Sequence, residues 1–389
     1  MSKVLVTDAE QGRIPLNITR SLGRKEIKVY VGGDMKIATP YYSSYCTKKV
    51  VYPSILLKPS QFKIFMLNYI KKEKFKAVFP VMNETVLFFS KYKKDFSKFT
   101  SIPLVDYDKM LLALDKANTL KIAENIKIPH PKTYYPENAF ELKQIRDDLV
   151  YPVIVKARRS SGTLGVKLCS EKAKLMQTYR SILKFYGNPI IQEHIPNGGD
   201  AIGVSCLFGY KNDVKATFAH RRLRQYPIQG GPSTLRESIR HPVAEALAIK
   251  LLKKIKWFGV AMVEFKIDPR DNKPKLMEIN PRFWGSLSLP IFAGVDFPYL
   301  LYKLVTEGNV KKVSSYKLNI KSRWVGGDFL YLLHTKHKLK FLKEFLNFNE
   351  KGTYIEDIAK DDPLPFFSRP LSLVYMFNRK IRNRVLRYM

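Results

Sequence analysis

Two apolar runs joined by a short polar connection constrain this chain most. Val260-Ala-Met-Val-Glu-Phe-Lys-Ile-Asp268 and Lys275-Leu-Met-Glu-Ile-Asn-Pro-Arg282 each read as a β-strand, and Asp268-Pro-Arg-Asp-Asn-Lys-Pro274 between them is made of turn formers. Side chains alternate faces along a strand, so Glu278 and Asn280 point the same way. If the two strands pair, Glu264 joins them, and two carboxylates and an amide converge beside Arg282. Hard divalent cations take ligands of this kind, usually together with nucleotide phosphates. A hairpin with one wet face would also carry acids. Both glutamates, however, sit inside apolar runs, and carboxylates are rarely buried without a cation or another partner. The expectation is phosphoryl chemistry.

The chain before this hairpin alternates strand and helix. Residues 3–8 read as a strand, 13–22 as a helix, 27–31 as a strand, 76–82 as a further apolar run and 84–92 as a helix. That order predicts a parallel α/β sheet over about the first hundred residues. The first turn, Thr7-Asp-Ala-Glu-Gln-Gly12, lacks the GxGxxG fingerprint, so nucleotide binding is not assigned there. Residues 106–126 read as helical and 151–157 as a strand ending near Lys156. Residues 189–195 form another strand, 201–208 and 214–220 an antiparallel pair, and 242–255 a helix. After residue 308 the composition turns Lys- and aromatic-rich, with an amphipathic helix near 329–348.

A length of 389 residues allows two or three domains with sizeable cores. The three cysteines, Cys46, Cys169 and Cys206, are widely spaced and make neither a disulfide framework nor a CxxC pattern, which suits a reducing compartment. The amino terminus turns polar too soon for a signal peptide, and no apolar run approaches the ~18 residues of a spanning helix. A cytoplasmic protein is expected. The net charge of +34 attracts nucleic acid, anionic membrane or acidic metabolites, or reflects solvated lysine faces. No RNA- or DNA-binding motif accompanies it. The densest patch, from Arg379 to Met389, has five basic residues and no acid. It reads as a short basic helix, either lying on the inner face of a membrane or simply solvated.

Four further segments carry chemistry. Ser160-Ser-Gly-Thr-Leu-Gly165 could cradle phosphate oxygens on its backbone N–H groups, or be a plain hairpin turn. Lys156 before it supplies a positive charge where a phosphate would lie. Gln192 and Glu193 end a strand and could hydrogen-bond a purine edge. Arg221, Arg222 and Arg236 flank a Gly230-Gly231-Pro232 hinge and are candidates for an acid substrate. Asn83, Glu84 and Thr85 follow an apolar strand, where open α/β sheets place ligands, although Asn83 could equally cap a helix.

In this order the pieces resemble the ATP-grasp superfamily, most closely its carbamoyl-phosphate-synthase-like branch, which holds many carboxylate–amine ligases. The matching elements are Asp115-Lys116, Val155-Lys156 with its glycine loop, Gln192-Glu-His-Ile-Pro with Asp200, Val263-Glu264-Phe and Met277-Glu-Ile-Asn-Pro-Arg282. The resemblance implies mixed α/β and α+β architecture. An amino-terminal parallel α/β domain (1–112) would precede a two-lobed ATP-grasp domain (113–310), with a lid lobe within 113–195 and a metal-binding lobe at 196–310. A mostly helical basic extension would span 311–389. Lys116 and Lys156 would contact ATP phosphates, with Ser161, Gly162 and Thr163 closing over them. Gln192, Glu193, His194 and Ile195 would line the adenine and Asp200 the ribose. Glu264, Glu278 and Asn280 would hold one or two Mg²⁺ (or Mn²⁺) ions. Lys156 and Arg282 would act on the transferred phosphoryl group, with Arg221 and Arg236 nearby. The implied activity is an ATP-dependent coupling of a small carboxylate to an amine through an acyl phosphate, and a homodimer is the candidate assembly. The rival readings are a nucleotide-binding protein without turnover, and a membrane- or nucleic-acid-associated protein exploiting the charge.

Overall fold

The structure is a computed structural model that describes residues 2–160, 162, 164–228, 230–372 and 374. Ser161, Thr163 and the basic stretch 379–389 lie outside the described residues. The expected amino-terminal sheet is present. Strands β1 (Lys3–Val6), β2 (Lys28–Gly33), β3 (Cys46–Val51) and β4 (Ala77–Phe79) form a parallel sheet in the order β3-β2-β1-β4. Alternation along β1 sorts its side chains. Val4 and Val6 pack with Ile14, Ile18 and Leu22 of the helix Arg13–Gly23, while Leu5 packs with Phe62, Met66 and Ile70 of the helix Pro59–Glu73. Both faces are therefore covered, as an all-parallel sheet requires.

The helical stretch 106–126 divides into Tyr107–Leu114 and Lys116–Asn125. Asp115 makes the break: its extended backbone stops one helix, and its carboxylate accepts from the Ala117 and Asn118 N–H groups to start the next. A second, antiparallel sheet follows, of β5 (Thr133–Tyr134), β6 (Val153–Lys156), β7 (Val166–Cys169) and β8 (Ile190–Glu193) in the order β5-β8-β6-β7. The helix Leu175–Tyr186 covers it through Leu175, Tyr179 and Ile182.

The third sheet has seven strands. They are β9 (Ala201–Phe208), β10 (Val214–Gln225), β11 (Ser233–Ile239), β12 (Gly259–Asp268), β13 (Lys273–Asn280), β14 (Lys321–Arg323) and β15 (Thr353–Ile355), ordered β13-β12-β9-β10-β11-β14-β15. The antiparallel pairing of β9 with β10 is the one read from sequence. The segment after residue 311 is not helical alone, since β14 and β15 extend this sheet around the helices Val325–His334 and Lys338–Leu346.

Residues 356–362 return to the first helix, where three arginines one helical face apart take three acids. Arg13 bonds Glu356 at 2.6 Å, Arg20 bonds Asp362 at 2.8 Å and Arg24 bonds Asp361 at 2.7 Å. Arg236 on β11 completes this link. It is 0% exposed, pairs with Glu356, and also donates to Ser288 Oγ (3.0 Å) and Ser322 Oγ (3.2 Å). A guanidinium without solvent persists only when paired, so Arg236 is committed to this ion pair and not open to a substrate. Burial raises the Glu356 carboxyl pKa, but Arg236 and Arg13 outweigh it and hold the group below its ordinary value of 4.5. Its contribution to stability is thus present above that value and lost as pH falls. Glu356→Gln, which leaves Arg236 buried against a neutral amide, is expected to cost about 3–5 kcal/mol at neutral pH. In urea melts the gap to the parent protein should close below pH 4.5; a gap independent of pH would contradict the charge assignment.

Candidate functional site

The hairpin pairs as its sequence suggests. Glu264 on β12 lies opposite Glu278 on β13, and Met262 opposite Asn280, with an irregularity after Glu264. The two carboxylates and the Asn280 amide therefore share one face. Glu264 accepts from Arg222 Nη2 at 2.5 Å through one oxygen and from Asn280 Nδ2 at 3.1 Å through the other. Lys116 Nζ stands 3.1 Å from Glu278 Oε2. Lys156 Nζ lies 3.4 Å from the Met277 carbonyl and 3.5 Å from Gln192 Oε1. Residues scattered over more than 160 positions thus meet where β6 and β8 of the second sheet face β13.

Local geometry explains each arrival. Lys116 is the first residue of its helix, and its N–H donates to the Arg158 carbonyl at 3.0 Å. Its ammonium also donates to the Ser160 carbonyl at 3.0 Å, and Asp115 holds the Arg158 side chain at 3.0 Å. The small-residue loop is therefore tied to the helix start. That loop joins the antiparallel strands β6 and β7 and contains Gly162. At Gly165 (φ +66°) a Cβ would lie 2.7 Å from that of Ala157, so both backbone and space demand glycine. Lys156 ends β6, and Gln192 lies opposite Ile154 on the neighbouring β8.

The charges are interdependent. Burial pushes the Lys156 ammonium down to about 8, with Glu278 pulling it up and Lys116 pushing it further down. Burial raises Glu278, but Lys116 and Lys156 outweigh it and keep its pKa below the ordinary value. His220, which the sequence reading missed, lies on β10 opposite Gly203, itself opposite Glu264. A Cβ on Gly203 would fall 2.3 Å from His220 Cε1, so the imidazole lies across the glycine. A glycine inside an apolar strand was the available signal of such a close approach. Burial, then Arg222 and Arg236, push this histidine down to about 3, which keeps it neutral beside Ser286 Oγ at 3.2 Å.

Arg282 is held from the amino-terminal sheet, its Nε donating to Asn83 Oδ1 at 2.6 Å. Asn83 does not cap its own helix, Asn83–Lys91. Asp8 serves that helix end instead, accepting from the Val81 and Met82 N–H groups and from Thr85 Oγ1. At the other end of the site, Glu193 is bonded to Arg270 at 2.5 Å and to the Lys132 N–H at 3.1 Å. His194 is pushed below its ordinary pKa by burial and by Lys266 and Arg270, and the Ile195 carbonyl accepts from Lys266 Nζ at 2.8 Å. Asp200 lies 3.5 Å from Arg221, which bonds Glu237 at 2.8 Å. Arg221 is opposite Ile202, which is opposite Phe265, so alternation puts it on the sheet face away from Glu264. Arg222 is the arginine that reaches the carboxylates.

Among the described residues no group of three or more His, Cys, Asp or Glu side chains could hold a metal by itself. Two carboxylates and one amide suit an ion that takes its remaining ligands from phosphate and water, as magnesium does.

The chain is similar in sequence and fold to known proteins. Residues 115–188 match the carbamoyl-phosphate synthase L chain ATP-binding domain family, and residues 195–327 match a family described as ATP-grasp in the biosynthetic pathway with Ter operon. The D-aspartate ligase of Enterococcus faecium is 24% identical over 321 residues, spanning 75% of this chain and 74% of that protein. A D-alanine–D-alanine ligase of Carboxydothermus hydrogenoformans is 27% identical over 219 residues, 51% of this chain and 69% of that protein. The biotin carboxylase domain of Hydrogenobacter thermophilus 2-oxoglutarate carboxylase, solved with MgADP and bicarbonate, superposes with a TM-score of 0.69 at 15% identity, over 82% of this chain and 73% of that one. An L-amino acid ligase from Bacillus licheniformis gives 0.62 at 15%, over 79% and 74%. The fold is that of the ATP-grasp enzymes.

The charge network is open to titration. In ¹⁵N NMR of the lysine ammonium groups, Lys156 should titrate near 8. Since Glu278 supports the charged form, Glu278→Gln should move that midpoint lower; a midpoint that stays put or rises would contradict the coupling.

Proposed function

We propose that this chain, a member of the ATP-grasp superfamily in its carboxylate–amine ligase branch, is an ATP-dependent ligase that activates a small carboxylate as an acyl phosphate and couples it to an amine. The observation that carries the reading is the meeting of Lys116 and Lys156 with the opposed pair Glu264 and Glu278. Lysines alone would bind any anion, and carboxylates alone a cation. Interleaved, they suit a metal-bridged polyphosphate.

In this reading Lys116, from the start of its helix, and Lys156, from the end of β6, bind phosphate oxygens. Glu264, Glu278 and Asn280 would hold one or two Mg²⁺ ions, which when bound would neutralise charge on the phosphates. Lys116 and Arg222 are already placed beside the carboxylates, and each exchanges that contact for a phosphoryl oxygen as nucleotide and metal enter. Arg282, aimed by Asn83, binds the oxygens of the phosphoryl group in flight. The substrate carboxylate attacks the γ-phosphorus and ADP departs; the amine then attacks the acyl carbon and phosphate departs. The protein forms no bond of its own, and its contribution is position and electrostatic complementarity. Glu193 and the Ile195 backbone would receive the adenine and Asp200 the ribose, after releasing Arg270, Lys266 and Arg221. Arg222, not Arg221 or Arg236, takes the role next to the acyl phosphate.

The test is ADP release screened over amino acids, small peptides and sugar acids with candidate amines, with mass spectrometry of the products. Glu278→Ala and Lys156→Ala should each lower turnover by about a hundredfold or more while the protein stays folded. Undiminished turnover in a folded Glu278→Ala protein would sink the assignment. ADP release absent with every pair of substrates would favour a nucleotide-binding protein without turnover.

A further inference from the structure

The described carboxy-terminal helices, which the ligase reading does not use, expose apolar stripes at helical spacing. On Val325–His334 the exposed large residues are Phe329, Leu330 and Leu333. On Lys338–Leu346 they are Leu339, Leu342 and Leu346, spaced i, i+3, i+7, while Phe341 on the opposite side is buried. Helical residues 364–372 repeat the pattern with Leu364, Phe367 and Leu371. Leu339 is 82% exposed and Phe367 72%, high values for large apolar side chains of a folded protein.

The charges around these stripes are one-sided. Every acid on the first two helices is already neutralised: Asp328 bonds Arg323 at 2.7 Å, and Glu344 pairs with Arg224. Lys336, Lys338, Lys340 and Lys343 form no ion pair among the described residues. Leucines alternating with free lysines on short helices match a surface that is apolar inside and anionic at its rim. A second copy of the chain is the poorer occupant, because each copy carries +34 and the lysines of the two faces would oppose one another. Nucleic acid would satisfy the lysines and leave the leucines wet.

We propose that these helices are a docking face for an anionic lipid surface, holding the protein there peripherally. Among the described residues no helix is long and apolar enough to cross a membrane, so the attachment is interfacial. The face uses none of the side chains of the carboxylate–lysine site, and its test does not rely on turnover.

The full chain is sedimented with vesicles of phosphatidylcholine and with vesicles of phosphatidylcholine mixed with phosphatidylglycerol. Binding is expected to the mixed vesicles, to fall with added salt, and to be weak on phosphatidylcholine alone. The triple variant Leu339→Ser, Leu346→Ser, Phe367→Ser should bind at least about a hundredfold more weakly. Lys338→Gln, Lys340→Gln, Lys343→Gln should lose about tenfold or more. Near-UV circular dichroism checks folding, and if the apolar variant fails to fold, the lysine variant decides. No binding to mixed vesicles, equal binding to both kinds, or variants that bind like the parent would overturn the proposal. So would a dimer in sedimentation velocity that the apolar variant dissociates without any vesicle binding.

Discussion

Glu264 and Glu278 face one another across a single antiparallel rung, and the cations around that pair organise the site. Like charges directly opposite on a sheet repel, and this rung is largely removed from water. Three cations answer them, each from a different element: Lys116 from a helix start, Lys156 from the end of β6 and Arg222 from β10. The site is thus also a joint. The smaller antiparallel sheet is held against the larger one by charges that nucleotide phosphates and a metal ion would redistribute.

A second ionic joint works differently. Glu356 lies between Arg236 and Arg13, and Asp361 and Asp362 take the other arginines of the first helix. These contacts pin the carboxy-terminal segment to the first helix and its end in a chain with twice as many basic as acidic residues. In so basic a protein, acids are scarce and their positions are informative. Every acid of the described carboxy-terminal segment is ion-paired, whereas among the described residues Lys336, Lys338, Lys340 and Lys343 are not.

Much of this was legible in the residues. Period-two apolar runs around a turn-rich connection specified the β12–β13 hairpin, and strand–helix alternation specified the parallel sheet. Asp115 as a helix start was readable too, because a cap residue in the middle of a helical pattern divides it. So was the separation of Arg221 from Arg222, since consecutive strand residues cannot share a face. What the sequence hid were partners distant along the chain. Arg236 finds Glu356 120 positions away, and Arg282 finds Asn83 199 positions away. No local pattern encodes such pairs. Asn83 looked like a helix cap because the competing cap, Asp8, lies on another strand end.

Calorimetric titration of the protein with ATP, with Mg²⁺ and with EDTA, tests the central claim most directly and needs no knowledge of the acid or amine. If Glu278 and Glu264 receive the metal while Lys116 and Lys156 receive phosphate, ATP binding should strengthen with Mg²⁺, and Glu278→Gln should abolish that strengthening. ATP affinity that is indifferent to Mg²⁺, or a Mg²⁺ effect that survives Glu278→Gln undiminished, would contradict it.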